Sequence, residues 1–203
     1  MDITPNDICA AAKAGEYFRR VEEMYAEMDL AYYEAAGSYG FSCTGCEDNC
    51  CLTRFYHHTT IEYAYLLSGF FSLPGDRRRL YLDRAHAYNR ELERVNSNNT
   101  VFRHMCPVND AGWCALYAFR PMICRLHGIP HELSPPGRAK IFGAGCTAFE
   151  NHCGETAHIS FDRTPFYTGM ADLERRFRMH TGIQVKFRMT VSQMLVSTQT
   201  GAL

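Results

Sequence analysis

No stretch of about 18 consecutive apolar residues occurs in this 203-residue chain, so no helical membrane span is expected. Lysine is scarce: Lys13, Lys140 and Lys186 are the lysines among 21 basic residues. The others are arginines, whose planar and permanently charged fork suits buried anions; a base-composition bias is the plainer explanation. The formal charge is −1, so no global field draws the chain to nucleic acid or lipid. A glycine-rich phosphate loop, a serine nucleophile elbow and a His-Glu-x-x-His zinc site are all missing. Internal repeats and low-complexity tracts are missing too. Residues 1–7 have no basic segment followed by an apolar core, which predicts no secretory signal and a cytoplasmic location.

What the chain has is sulfur. Ten cysteines in a reducing compartment read as ligands rather than as disulfides. Four fall within nine residues, Cys43-x2-Cys46-x3-Cys50-Cys51, and a second group follows at Cys106, Cys114 and Cys124. A thiolate is a strong, soft ligand for zinc and for iron–sulfur clusters. Cys-x2-Cys lets two sulfurs converge on one centre. Adjacent cysteines point in diverging directions, so Cys50-Cys51 implies two centres, or one centre with a neighbouring thiolate. The Cys-x3-Cys-x2-Cys spacing of a radical cluster is excluded, because position 53 is Thr53. A chain of this length buries roughly 70% of its unfolded surface, so metal is not needed merely to compensate for small size.

The expected fold is mainly α, with an irregular Cys-rich metal-binding segment and little β. A long helix is predicted over about 5–37, with Thr4 as cap, Pro5 at its first position and Asp7 three residues after the cap. Ile8, Ala12, Val21, Met24, Tyr25, Met28 and Tyr32 recur on one face, and Gly15 weakens it locally. Thr59-Thr60-Ile61-Glu62 signals the start of a helix ending near Phe71. Another runs from about Asp76 to Val95. Residues 100–160 are rich in proline, glycine and cysteine, and bound metal would supply the order that a packed ladder does not. A helix follows from about Pro165 to His180. Ile183, Val185, Phe187 and Met189 alternate as in a short strand, and Thr190–Val196 suggests one or two helical turns. The chain is read as a single domain, 1–203. Its Cys-cluster core lies at about 41–155, with the N-terminal helix and the segment of about 160–203 packed on it.

The second cysteine group reads Cys114-x2-Tyr117-x2-Arg120-Pro121-x2-Cys124-Arg125. With the quartet ending in Cys50-Cys51 and the Thr60/Glu62 helix start, this resembles the CxxCxxCC (YkgJ-like) family of zinc- or iron-chelating cysteine-cluster proteins. The resemblance covers roughly residues 43–150. It departs in one respect: three residues, not two, separate Cys46 from the cysteine pair. It implies the ligands Cys43, Cys46, Cys50, Cys51, Cys106, Cys114 and Cys124, with Cys146 as the eighth. Eight thiolates divide into two four-sulfur sites, and zinc and a four-iron cluster both accept four cysteines. An iron–sulfur cluster, of the 4Fe-4S type, is expected ahead of zinc. Related cysteine-cluster regions occur in flagellin lysine methylases, where an iron–sulfur cluster is thought to sit, and Phe41, Phe55, Tyr56, Trp113, Tyr117 and Phe119 would shield a cluster from water. Arg120 and Arg125, with Tyr117, are expected around the ligands, where they balance thiolate charge; surface ion pairs are the alternative.

Other features carry less. His127 and His152 stand near cysteines, but eight thiols already fill two sites. His57-His58 is expected to cap a helix or lie on the surface. Cys9 is expected in the core, and Cys153 is either an exchangeable ligand or a free thiol. Arg77-Arg78-Arg79 and Arg175-Arg176 are expected on solvated helix faces, so nucleic acid is not the expected partner. Methionines 105, 122, 179, 189 and 194 read as core filler. Three uses stay open: redox or electron transfer (with an accessory role included), a zinc-stapled interaction module, and a metalloenzyme acting on a macromolecule with a protein partner.

Overall fold

A computed structural model describes residues 4–43, 50–98, 102–186 and 188–200, without the side chains of residues 14, 50 and 200. The fold is mainly α. Its helices are α1 (Pro5–Ala14), α2 (Tyr17–Ser38), α3 (Thr60–Ser72), α4 (Gly75–Asn98), α5 (Met122–Leu126), α6 (Thr147–Cys153), α7 (Thr164–Thr181) and α8 (Val191–Thr200). Two small antiparallel hairpins complete it: β1 (Asn109–Asp110) with β2 (Trp113–Cys114), and β3 (His131–Leu133) with β4 (Ile141–Gly143). No helix among the described residues is long and apolar enough to cross a membrane.

The first helix starts as the sequence predicts. Thr4 Oγ1 accepts from the Asp7 N–H at 3.3 Å, and the Asp7 carboxylate accepts from the Thr4 N–H at 2.9 Å. The single helix expected over 5–37 is, however, two. The chain breaks at Gly15-Glu16, where Glu16 turns left-handed at φ 56°. A side chain on Gly15 would stand 2.5 Å from the Tyr17 ring, so the break packs Tyr17 where a continuous helix could not. Tyr17 then meets Phe177 of α7 edge-on, with centroids 5.2 Å apart.

The core runs along the apolar faces of α2 and α3. Val21, Tyr25 and Met28 of α2 and Ile61, Ala64 and Leu67 of α3 are buried. α1 packs on α3, α4 on α8, and α2 on both α3 and α5. α3 is buried almost all round, as expected for a helix with an apolar circumference. The short strand expected at 183–189 is not there. Only Met189 pairs, with His57, through bonds of 2.8 and 3.1 Å, and position 187 lies outside the described residues. A lone bridge offers no partner strand to extend. The C-terminal element is a ten-residue helix rather than a turn or two, and Thr190 and Gln193 cap it reciprocally.

Candidate metal centre

The two cysteine groups meet at the backbone. The Cys106 N–H donates to the Cys51 carbonyl at 2.9 Å, across 55 residues of sequence. Cys51 lies on a 3-10 turn at Cys50–Leu52. Cys114 ends the β1–β2 hairpin, and Cys124 lies within α5. The Cys146 N–H donates to the Gly128 carbonyl at 2.9 Å. Gly128 has φ 126°, and a side chain there would stand 2.6 Å from the Tyr32 hydroxyl, so this junction needs glycine.

Cys43, Cys51, Cys106, Cys114, Cys124 and Cys146 all line one cavity of about 340 Å³. Of the eight cysteines named from the sequence, Cys46 lies outside the described residues, as does the side chain of Cys50. Cys9 and Cys153 do not line the cavity. The Cys9 thiol donates to the Ala64 carbonyl and the Cys153 thiol to the Tyr39 carbonyl, each at 3.5 Å.

The thiols of Cys51, Cys106, Cys114 and Cys124 act on one another electrically. The hydrogen bond with Cys51 and then burial hold Cys106 well above the ordinary thiol value. Burial pushes Cys114 up to about 11. Burial, with Cys114 and Cys51 adding to it, pushes Cys124 up as well. Without a cation the sulfurs of Cys106, Cys114 and Cys124 are therefore neutral thiols. A bound soft cation reverses this, because a coordinated thiol loses its proton. Among the described residues, no three His, Cys, Asp or Glu side chains are gathered tightly enough to enclose an ion. The donor chemistry nonetheless suits a soft metal: among the described residues lining the cavity, none is Asp or Glu, and the charged ones are Arg120 and Arg125.

Those two arginines both reach Asp29 on α2, Arg125 at 2.6 Å and Arg120 at 3.3 Å. Arg125 is buried and also donates to the carbonyls of Arg120 and Ala118, with its guanidinium 4.0 Å from the Tyr25 ring centroid. Its hydrogen bonds shape the turn between Tyr117 and Cys124, and both guanidinium charges favour thiolate at Cys114. Arg120 lies 3.7 Å from the Tyr117 centroid.

Glu62 anchors the same turn. Its buried carboxylate accepts from the Met122 N–H at 2.7 Å, the Tyr25 hydroxyl at 3.2 Å and the Thr59 hydroxyl at 2.5 Å. It thus ties the start of α3 to the start of α5, two residues before Cys124. The expected cap at Thr59 is not made through the backbone. Glu174 of α7 accepts instead from the N–H groups of Thr60 and Ile61, at 2.8 and 2.9 Å.

The basic run of α4 is only partly a solvated face. Arg77, Arg84 (2.7 Å) and the Tyr81 hydroxyl (2.6 Å) converge on Asp110. They clamp the hairpin that carries Cys114. The aromatic shield is narrower than expected: Phe41, Phe55, Trp113 and Tyr117 line the cavity. Phe119 instead packs on Tyr65, with centroids 5.1 Å apart, and Tyr56 lies under Arg188 at 3.8 Å.

Three histidines line the cavity. His127 is partly buried and packs edge-on against Phe55 at 5.1 Å; burial and then Arg163 lower its pKa. His152 is exposed. His57 corrects the surface assignment. It is buried, its Nε2 has no hydrogen-bond partner, and burial lowers its pKa to about 4. Its position next to His58 gave no sign of this. Comparison with protein-family models, with curated proteins and with solved structures finds no match. The resemblance to the CxxCxxCC family therefore stands on its motifs alone.

Proposed function

We propose that this protein holds a thiolate-ligated metal centre, an iron–sulfur cluster ahead of zinc, and serves electron transfer or an accessory redox role. The observation that carries this reading is the presence of Cys51, Cys106, Cys114 and Cys124 on one cavity with no carboxylate among its described lining. Hard cations such as Mg²⁺ and Ca²⁺ bind through oxygen, whereas this lining offers sulfur and imidazole. In this reading those four cysteines form one set of ligands, and Cys43 and Cys146 join Cys46 and Cys50 in a second. An iron–sulfur group, when bound, supplies one-electron exchange. The chain's part is to exclude water with Phe41 and Phe55, to offset thiolate charge with Arg120 and Arg125, and to fix the Cys124 turn through Glu62.

Anaerobic purification followed by elemental analysis for iron, zinc and acid-labile sulfide tests the proposal. Iron and sulfide in a brown protein support the favoured form. Zinc in a colourless protein supports the zinc-stapled alternative, and absence of both metals removes the reading. Cys124→Ser should lower the metal-to-protein ratio, and Cys9→Ser should leave it unchanged. An unchanged ratio in Cys124→Ser would take that residue out of the centre.

A further inference from the structure

The cavity of about 340 Å³ falls in the size range that holds small organic molecules. Sulfur forms only part of its wall, and much of the rest is aromatic.

Three of the aromatic side chains lining the cavity are also open to solvent, so they mark its mouth. Trp113 is 59% exposed, Tyr33 58% and Tyr117 42%. The hydroxyls of Tyr33 and Tyr117 are 3.1 Å apart, which holds those two side chains together. Single exposed apolar residues are ordinary, but three that line one cavity suit a binding site. One polar group joins them. The Arg120 guanidinium lies against the Tyr117 ring and reaches Asp29 through Nη2, while its buried Nε has no hydrogen-bond partner. Among the described lining, the charged side chains are Arg120 and Arg125, which share Asp29.

We propose that the mouth of this cavity binds a small planar aromatic compound bearing a carboxylate or similar anionic group. Its ring packs against Trp113 and the Tyr33–Tyr117 pair, and its anion faces Arg120. This site goes beyond the metal centre and does not depend on which ion the thiols hold.

Calorimetric titration of the protein as isolated tests the site, with 1-naphthoate, cyclohexanecarboxylate and 1-naphthylmethanol as probes. Trp113 is the chain's single tryptophan, so its fluorescence reports occupancy of the mouth independently. Naphthoate should bind saturably, shift Trp113 emission, and bind at least about tenfold more tightly than the non-aromatic acid. Trp113→Ala should weaken naphthoate by about fivefold or more, and Arg120→Gln should erase the preference for naphthoate over the neutral alcohol. Phe142→Ala, at an exposed ring of β4 that does not line the cavity, should change nothing. Non-saturable naphthoate binding, equal affinity for both acids, or a Trp113→Ala protein that binds like Phe142→Ala overturns the proposal. Metal content measured on the same sample keeps the two readings apart: naphthoate binding without metal defeats the centre alone, and metal without naphthoate binding defeats this site alone.

Discussion

The helical support and the cysteine-bearing stretch from 102 to 153 are held together by different physics. α1 to α3, α7 and α8 pack through contiguous apolar faces, and no single contact decides their arrangement. The cysteine stretch has two- and three-residue strands and five- to seven-residue helices, too short to be stable alone. It sends Val108, Leu116, Leu126, Ile129 and Phe149 into the same core, and it is held in addition at discrete points by side chains reaching from the helices. Glu62 holds the Met122 N–H, Asp29 holds Arg125, and Arg77 and Arg84 hold Asp110. Arg163, at the start of α7, donates to the carbonyls of Leu126 and Ile129. The support is a packed interior. The cysteine stretch shares that interior and adds a set of tethers.

Mutations should separate the two regions. Glu62→Leu strands the Met122 N–H and the Tyr25 hydroxyl in the interior, and should cost about 4 kcal/mol and lower the metal-to-protein ratio. Leu67→Ala, in the support, should cost about 3 kcal/mol but leave the metal-to-protein ratio of the folded fraction unchanged. Denaturant unfolding combined with elemental analysis reads both quantities. If both variants lose metal alike, the distinction between interior and tether fails. Asp110→Asn weakens a clamp made by half-exposed arginines and should cost about 1 kcal/mol.

The smallest effect is a pH dependence. Lys140 and His158 hold the Glu132 carboxyl down at about 2, below the unfolded value of about 4.3. Its contribution is therefore complete above the unfolded value and is lost as pH falls from about 4.3 toward 2. Glu132→Gln should flatten acid unfolding across that window, and an unchanged acid limb would show that the pair is solvated away.

The helices were legible because apolar residues at helical spacing state which face turns inward, as Val21, Tyr25 and Met28 do. The break at Gly15 was visible as a weak point, but its depth depended on Tyr17 finding Phe177, a contact across 160 residues. The Thr190-x2-Gln193 cap was present in the sequence and marks where α8 begins, but nothing in it states how far the helix runs. The cysteine groups stood out in the sequence, and the structure sets Cys51, Cys106, Cys114 and Cys124 on the wall of one cavity. Asp29, Glu174 and Arg163 gave no such signal. Each is a lone charged residue whose part is set by a partner more than thirty residues away, and periodicity carries no trace of that. Glu62 was legible as the start of a helix, but its hold on Met122 was not.

The cap on α3 bears on how this protein can be dissected. The motif-bearing stretch of roughly 43–150 ends well before Glu174, yet it is Glu174 that receives the first two amides of α3. A fragment trimmed to the cysteine motifs would expose that helix start. It would also lose Arg163, which grips the loop after Cys124, and Asp29, which neutralises Arg125. The cysteine cluster is consequently not a portable cassette, and grafting it onto another scaffold would require importing acidic and basic partners from both flanks.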